Sequence, residues 1–205
     1  MKQTRFFLAA SLFLFLILPA ISGLAMSAPT TPLETVRTLM DTIKQIRKGD
    51  DLTREQEANN RKLSDEALRY LDVARVSKIT LGKYWKKRSE EERRKFIHLL
   101  SELFRVVAFP NSAKFFSELE LNYGDPREEK DKAVVPLTVI HKDEGEVHID
   151  FVLKKNQEEW RVVDVILDGV SMRNNLRTQF YKVLKKEDYP ELVRRMMKKL
   201  KEAKS

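Results

Sequence analysis

The spacing of apolar residues changes from a helical period to strict alternation and back along this chain, and that pattern limits what it can fold into. Before Leu119 the apolar positions follow a helical period; Leu33, Val36, Leu39, Met40, Ile43 and Ile46 are one such stripe. From Leu119 to Leu167 they alternate: Leu119, Leu121, Tyr123; Val135, Leu137, Val139; Val147, Ile149, Phe151, Leu153; then Trp160 to Leu167. Turns separate these segments at Gly124-Asp125-Pro126, Asp143-Glu144-Gly145 and Asn156-Gln157-Glu158. The helical period then returns in Met172, Leu176, Phe180, Val183 and Leu184. The order predicts an α+β fold with a curved, four-stranded antiparallel sheet wrapped by helices on one face.

Helix starts are written into the sequence. Thr31-Pro32-Leu33-Glu34 and Ser89-Glu90-Glu91-Glu92 are capping boxes, the first with proline at the first helical position. Ser171 is placed to cap the next helix, and Asp188-Tyr189-Pro190-Glu191 opens the last one. Residues 50–62 are strongly polar and read as a loop leading into another helix. Residues 63–88 read as short helices with a tight turn at Gly82. The long helix opened by Ser89 carries Phe96, Leu99, Leu100, Leu103, Phe104 and Val107 on one face, and Pro110 is expected to break or kink it.

The N-terminus places the chain in a compartment. Lys2 and Arg5 precede an apolar run from Phe6 to Leu18, broken only by Ser11, and small residues follow Pro19. This is the layout of a cleaved signal peptide, with cut sites after Ala25 or Ser27. The run covers 13 residues, whereas a bilayer-crossing helix needs roughly 20. We assign residues 1–27 to the signal and 28–205 to a single domain. Within that domain 28–118 is mainly helical, 119–168 is the sheet, and 169–205 is the C-terminal helices. The expected location is the periplasm.

Charge and chemistry narrow the function. The net charge is +8, and removing Lys2 and Arg5 leaves +6. Cations gather late, at Lys185, Lys186, Arg194, Arg195, Lys198, Lys199, Lys201 and Lys204. Exported proteins rarely meet nucleic acid, so such a face suits anionic headgroups or an acidic partner. Mixing with Glu191 and Glu202 also fits an ordinary solvated helix face. The absence of cysteine excludes disulfides, thiol chemistry and a lipid-modified N-terminal cysteine. His98, His141 and His148 have no ligand-like spacing, so no metal is expected. Gly169-Val170-Ser171 is not a nucleophile elbow. Asp164, flanked by Val163 and Val165, is the one carboxylate placed to act as a desolvated base; strand-end hydrogen bonding by Asp164 and Asp168 is the competing reading.

Several segments together resemble a known family. They are Leu81-Gly82-Lys83-Tyr84-Trp85, Ser89 to Arg93, Phe96 and Leu103-Phe104. At the end of the sheet come Trp160 to Asp164, Asp168-Gly169-Val170-Ser171, and Arg177-Thr178-Gln179-Phe180. In order and spacing, from Thr31 to Leu200, they resemble the periplasmic phospholipid-binding MlaC, or toluene-tolerance, auxiliary family of lipid ABC transport systems. Departures stand at Leu71-Asp72-Val73, at Leu176 and at Lys185 to Asp188, and each keeps the hydrophobic pattern.

The resemblance implies a nuclear-transport-factor-2-like or cystatin-like sheet with a helical subdomain. It implies an apolar cavity for acyl chains, with phospholipid as cargo and no other cofactor. It further implies a monomer that shuttles between an outer-membrane lipoprotein complex and an inner-membrane ABC transporter complex with its hexameric ring protein. The expected lining is Val73, Leu81, Trp85, Phe96, Leu100, Leu103, Val107, Leu137, Val139, Ile149, Phe151, Val165, Val170 and Phe180. Two other readings stay open: an acid–base enzyme using Asp164, and an export chaperone or adaptor working through the basic C-terminal helix.

Overall fold

A computed structural model describes residues 31–49, 51–141 and 145–204. The signal peptide and the first two residues of the Asp143-Glu144-Gly145 turn lie outside that range. Helix α1 (Pro32–Lys44) begins at the Thr31 box, where the Thr31 hydroxyl accepts from the Glu34 N–H and the Glu34 carboxylate accepts from the Thr31 N–H. A helix of 13 residues is marginal alone. Its stability comes from burying Val36, Leu39, Met40 and Ile43, each contributing about 1.5–3 kcal/mol before entropy.

The polar segment expected to be a loop is mostly helix. Thr53 and Gln56 form a third capping box that opens α2 (Arg54–Arg69). Only Ser64 and Ala67 of α2 are buried, so the helix has no apolar stripe to reveal it. Helix α3 (Val73–Leu81) is capped by Asp72 and ends at Gly82, whose φ of +48° leads into a 3-10 helix (Gly82–Lys87).

Helix α4 (Glu90–Leu103) starts at the Ser89 box as the sequence indicates. It does not break at Pro110. A π-helical segment (Phe104–Ala108), in which the Phe109 N–H donates to the Phe104 carbonyl, joins it to α5 (Phe109–Phe116). Proline lacks an N–H and its ring crowds the carbonyl four residues back. The wider turn just before Pro110 takes up that mismatch, and Pro110 itself sits in the first turn of α5.

Among the described residues the sheet has six strands rather than four: β1 (Asn122–Tyr123), β2 (Arg127–Glu129), β3 (Lys132–His141), β4 (Gly145–Asn156), β5 (Glu159–Leu167) and β6 (Val170–Ser171). The order is β1-β3-β4-β5-β6, with β2 also on β3, and every pairing is antiparallel. The long strands form the expected meander. Of the predicted first strand only Asn122 and Tyr123 pair, opposite Thr138 and Leu137. The β4–β5 turn holds Gln157 at a φ of +55°, and a bulge shifts register between Val152 and Leu153. Helices α6 (Met172–Lys186) and α7 (Tyr189–Glu202) close the chain, capped by Ser171 and Asp188.

Two hydrophobic clusters result. One lies between the inner face of the sheet and α1, α2 and α5, and holds Val135, Leu137, Val139, Ile149, Phe151 and Leu153. The other is helical, built from α3, α4, α6 and α7 around Phe96 and Phe180. Leu68, Leu71 and Phe104 pack against both and mark the seam between them.

Candidate functional site

A groove of about 340 Å³ opens beside that seam. Helix α4 and the π segment supply Leu100, Leu103, Phe104, Val107 and Ala108; α6 supplies Leu176, Gln179, Phe180 and Val183; α7 supplies Leu192, Arg195, Met196 and Lys199. The side-chain spacing on α6 explains its part: Leu176, Phe180 and Val183 follow the i, i+4, i+7 row of one helix face. Phe180 is fixed by an edge-on contact with Phe96, centroids 5.6 Å apart. Arg195 and Lys199 are exposed and, with Gln179, are the polar members of a largely apolar lining. The volume lies at the lower end of the roughly 300–1,000 Å³ usual for small-molecule sites.

The expected lining residues are divided by the structure. Leu100, Leu103, Val107 and Phe180 meet in the groove. Val73, Leu81 and Phe96 are buried behind it in the same helical cluster. Trp85 is half-buried against that cluster, with the Arg93 guanidinium 5.4 Å from its ring. Leu137, Val139, Ile149 and Phe151 lie in the sheet-side cluster, with Val165 packed partly against it. Val170 is 55% exposed on the edge strand. Phe104, Leu176, Val183, Leu192 and Met196 line the groove without having been assigned to it. The signal for Phe104 is the apolar face of the Ser89 helix, and for the other four the apolar faces of α6 and α7, which the sequence places on helices but not opposite α4.

Asp164 is a structural anchor. It is buried, its Oδ2 accepts from the Ser171 hydroxyl at 2.6 Å, and its Oδ1 accepts from the Arg173 N–H at 3.0 Å. The Arg173 guanidinium lies 3.3 Å from Oδ2. Ser171 in turn accepts from the Asn174 N–H and caps α6. One carboxylate therefore ties β5 to the start of the helix that walls the groove, and it is not among the groove's lining residues. Asp168 plays a similar part at the strand end: its Oδ1 accepts from the His148 N–H at 2.9 Å, and its own N–H donates to the His148 carbonyl.

The cations of α7 are largely paired along the helix. Glu191 accepts from both Arg194 and Arg195, which hold its carboxyl down at about 2. Arg195 also reaches Glu187, and Lys198 reaches Glu202. Outside α7 a second concavity, of about 520 Å³, is lined entirely from α6 by Arg177, Thr178, Tyr181, Lys182, Lys185 and Lys186. The Tyr181 hydroxyl accepts from the Lys83 N–H at 3.1 Å and lies 3.4 Å from the Arg177 guanidinium. Burial works to raise its pKa, but those hydrogen bonds and the Arg177 and Lys83 charges outweigh it and hold the phenol below its ordinary value. Among the described residues no group of His, Asp or Glu is arranged to hold a metal ion, and no helix is long and apolar enough to cross a membrane.

A helix-backed antiparallel sheet with an apolar groove between helices defines a container-type α+β domain. Comparison with known proteins makes this specific. The model of the MlaC protein family matches residues 36–198, and the chain belongs to that family. Among solved structures, the phospholipid-binding protein from Ralstonia solanacearum in complex with a phospholipid has the same fold. It aligns with a TM-score of 0.68 at 20% identity, covering 83% of this chain and 97% of that one. A search of curated proteins found no match.

Proposed function

We propose that the protein is a soluble periplasmic phospholipid carrier. It takes acyl chains into the groove between α4, the π segment, α6 and α7, and shuttles lipid between complexes of the outer and inner membranes. The observation that carries this reading is the groove itself: its walls are mainly Leu, Val, Phe and Met side chains, and among its polar lining residues Lys199 is an exposed cation available to a phosphate, whereas Arg195 is paired with Glu187 and Glu191. Membership of the MlaC family and the phospholipid bound to the Ralstonia solanacearum neighbour support the choice of cargo. Each buried methylene contributes about 0.8 kcal/mol, so an acyl chain needs a long dry contact to leave a bilayer.

The test places charge on the groove wall where the fold tolerates it. Val107 and Leu176 are only partly buried, unlike Leu137 and Phe151, where a charge would disrupt the sheet-side core. V107D and L176D should stay folded and take up phospholipid from vesicles at least about tenfold less well, since excluding two methylenes already costs about 1.6 kcal/mol. Uptake equal to the parent protein in both folded variants would sink the groove assignment.

A further inference from the structure

Residues 73–88 and 172–186 contain no Asp or Glu. The fold packs these two stretches together: α3 lies along α6, and the start of the 3-10 helix meets α6 where the Lys83 N–H donates to Tyr181. The rings of Tyr84 and Tyr181 close the same seam edge to face at 5.2 Å. The outcome is one acid-free face carrying Lys83, Lys86 and Lys87 from the 3-10 helix and Arg177, Lys182, Lys185 and Lys186 from α6, all exposed. None of these seven makes an ion pair among the described residues. The carboxylates at the margin are engaged elsewhere: Glu90 with Arg94, Glu91 with Lys95, Glu92 with Arg88, and Glu187 with Arg195. By contrast, the C-terminal cations Arg194, Arg195 and Lys198 all have carboxylate partners on or beside α7.

We propose that this acid-free face of the 3-10 helix and α6 docks the protein on an anionic bilayer surface. Its composition favours a bilayer over an acidic protein. Six of the seven cations are lysines, which are depleted in protein–protein interfaces, and the one exposed large apolar side chain of α6, Met172, stands at its first residue, five positions before the first of these cations on that helix, rather than among them to act as an anchor. Diffuse attraction of clustered lysines to anionic headgroups needs neither a pocket nor an anchor. The geometry also gives docking a use. The opposite side of α6 presents Leu176, Phe180 and Val183 to the groove, so contact through the basic side holds the groove about one helix diameter, roughly 10 Å, from the headgroups. This proposal rests on charge placement and does not depend on the identity of the cargo.

The experiment is vesicle flotation of the protein purified after expression of the full-length chain. Phosphatidylethanolamine–phosphatidylglycerol vesicles are compared with phosphatidylcholine vesicles at low and high salt. Binding should require the anionic lipid and weaken steeply with salt. Each cation near an anionic surface is worth about fivefold in partitioning, so K86Q/K182Q/K185Q/K186Q should bind about a hundredfold or more weakly. The variant R54Q/R61Q/K62Q/K114Q, with the same charge change on other exposed positions, should bind much closer to the parent. Circular dichroism of both confirms folding. Equal loss in the two variants, equal binding to neutral vesicles, or binding to polyglutamate without binding to vesicles would each overturn the proposal.

Discussion

Removing the Asp164 carboxylate should unfasten α6 from the sheet. In D164A the Arg173 guanidinium loses its only carboxylate partner among the described residues and keeps just a 3.4 Å contact to the Val163 carbonyl, the Arg173 N–H loses its acceptor, and the Ser171 hydroxyl loses the acceptor for its proton. The Asp164 side chain is 3% exposed and that of Arg173 is 23% exposed, so the pair is shielded from solvent. Breaking such a pair by removing one member costs about 3–5 kcal/mol, most of it from the uncompensated charge left behind. In a domain of this size 1 kcal/mol moves the midpoint by about 2–4 °C, so D164A should melt roughly 6–20 °C lower. D164N keeps an acceptor for the Arg173 N–H and should lose less. S171A, which removes the cap and one carboxylate contact, should cost about 1–2 kcal/mol. The assay is thermal and urea unfolding of the three variants beside the parent protein. A D164A midpoint within a degree or two of the parent would refute the anchoring argument, and would return Asp164 to consideration as a reactive group.

Two further predictions follow from the helix ends and the charged helix. Gly82 has a φ of +48°, and a Cβ there would collide with the Tyr181 hydroxyl, so G82A should lose about 1–3 kcal/mol of stability; an unchanged urea midpoint would count against the seam. Glu191 is held at about 2, against 4.5, by hydrogen bonds from Arg194 and Arg195. Because its folded pKa is lowered, its stabilising contribution is complete above pH 4.5 and is lost as pH falls through about 2. Melting curves of E191Q and the parent should therefore differ at pH 7 and converge near pH 2; a constant gap would contradict the pairing.

The parts of the fold legible in the sequence are those whose local signal and tertiary role agree. The Thr31, Ser89, Ser171 and Asp188 caps all open helices, and the long alternating segments all become strands. Helix α2 is hard to read in the sequence because it buries little more than Ser64 and Ala67, leaving only the Thr53–Gln56 box to announce it. Strand β2 is exposed at all three residues, so it has no alternation to detect. Leu119 and Leu121 alternate but pack on the sheet-side cluster without joining the ladder. The π segment has no periodic signature, although Pro110 pointed to a disturbance nearby. For the groove, sequence marked the apolar residues but not which helix faces oppose one another. Of the expected lining, Leu100, Leu103, Val107 and Phe180 share the groove, while Leu137, Val139, Ile149 and Phe151 belong to the sheet-side cluster.

The most direct test of the central claim is native mass spectrometry of the protein purified from a bacterial periplasm, with organic extraction of whatever it carries. The account predicts a stoichiometric phospholipid adduct that disappears in V107D and L176D. A clean apo mass, together with failure to take up phospholipid from vesicles, would contradict it.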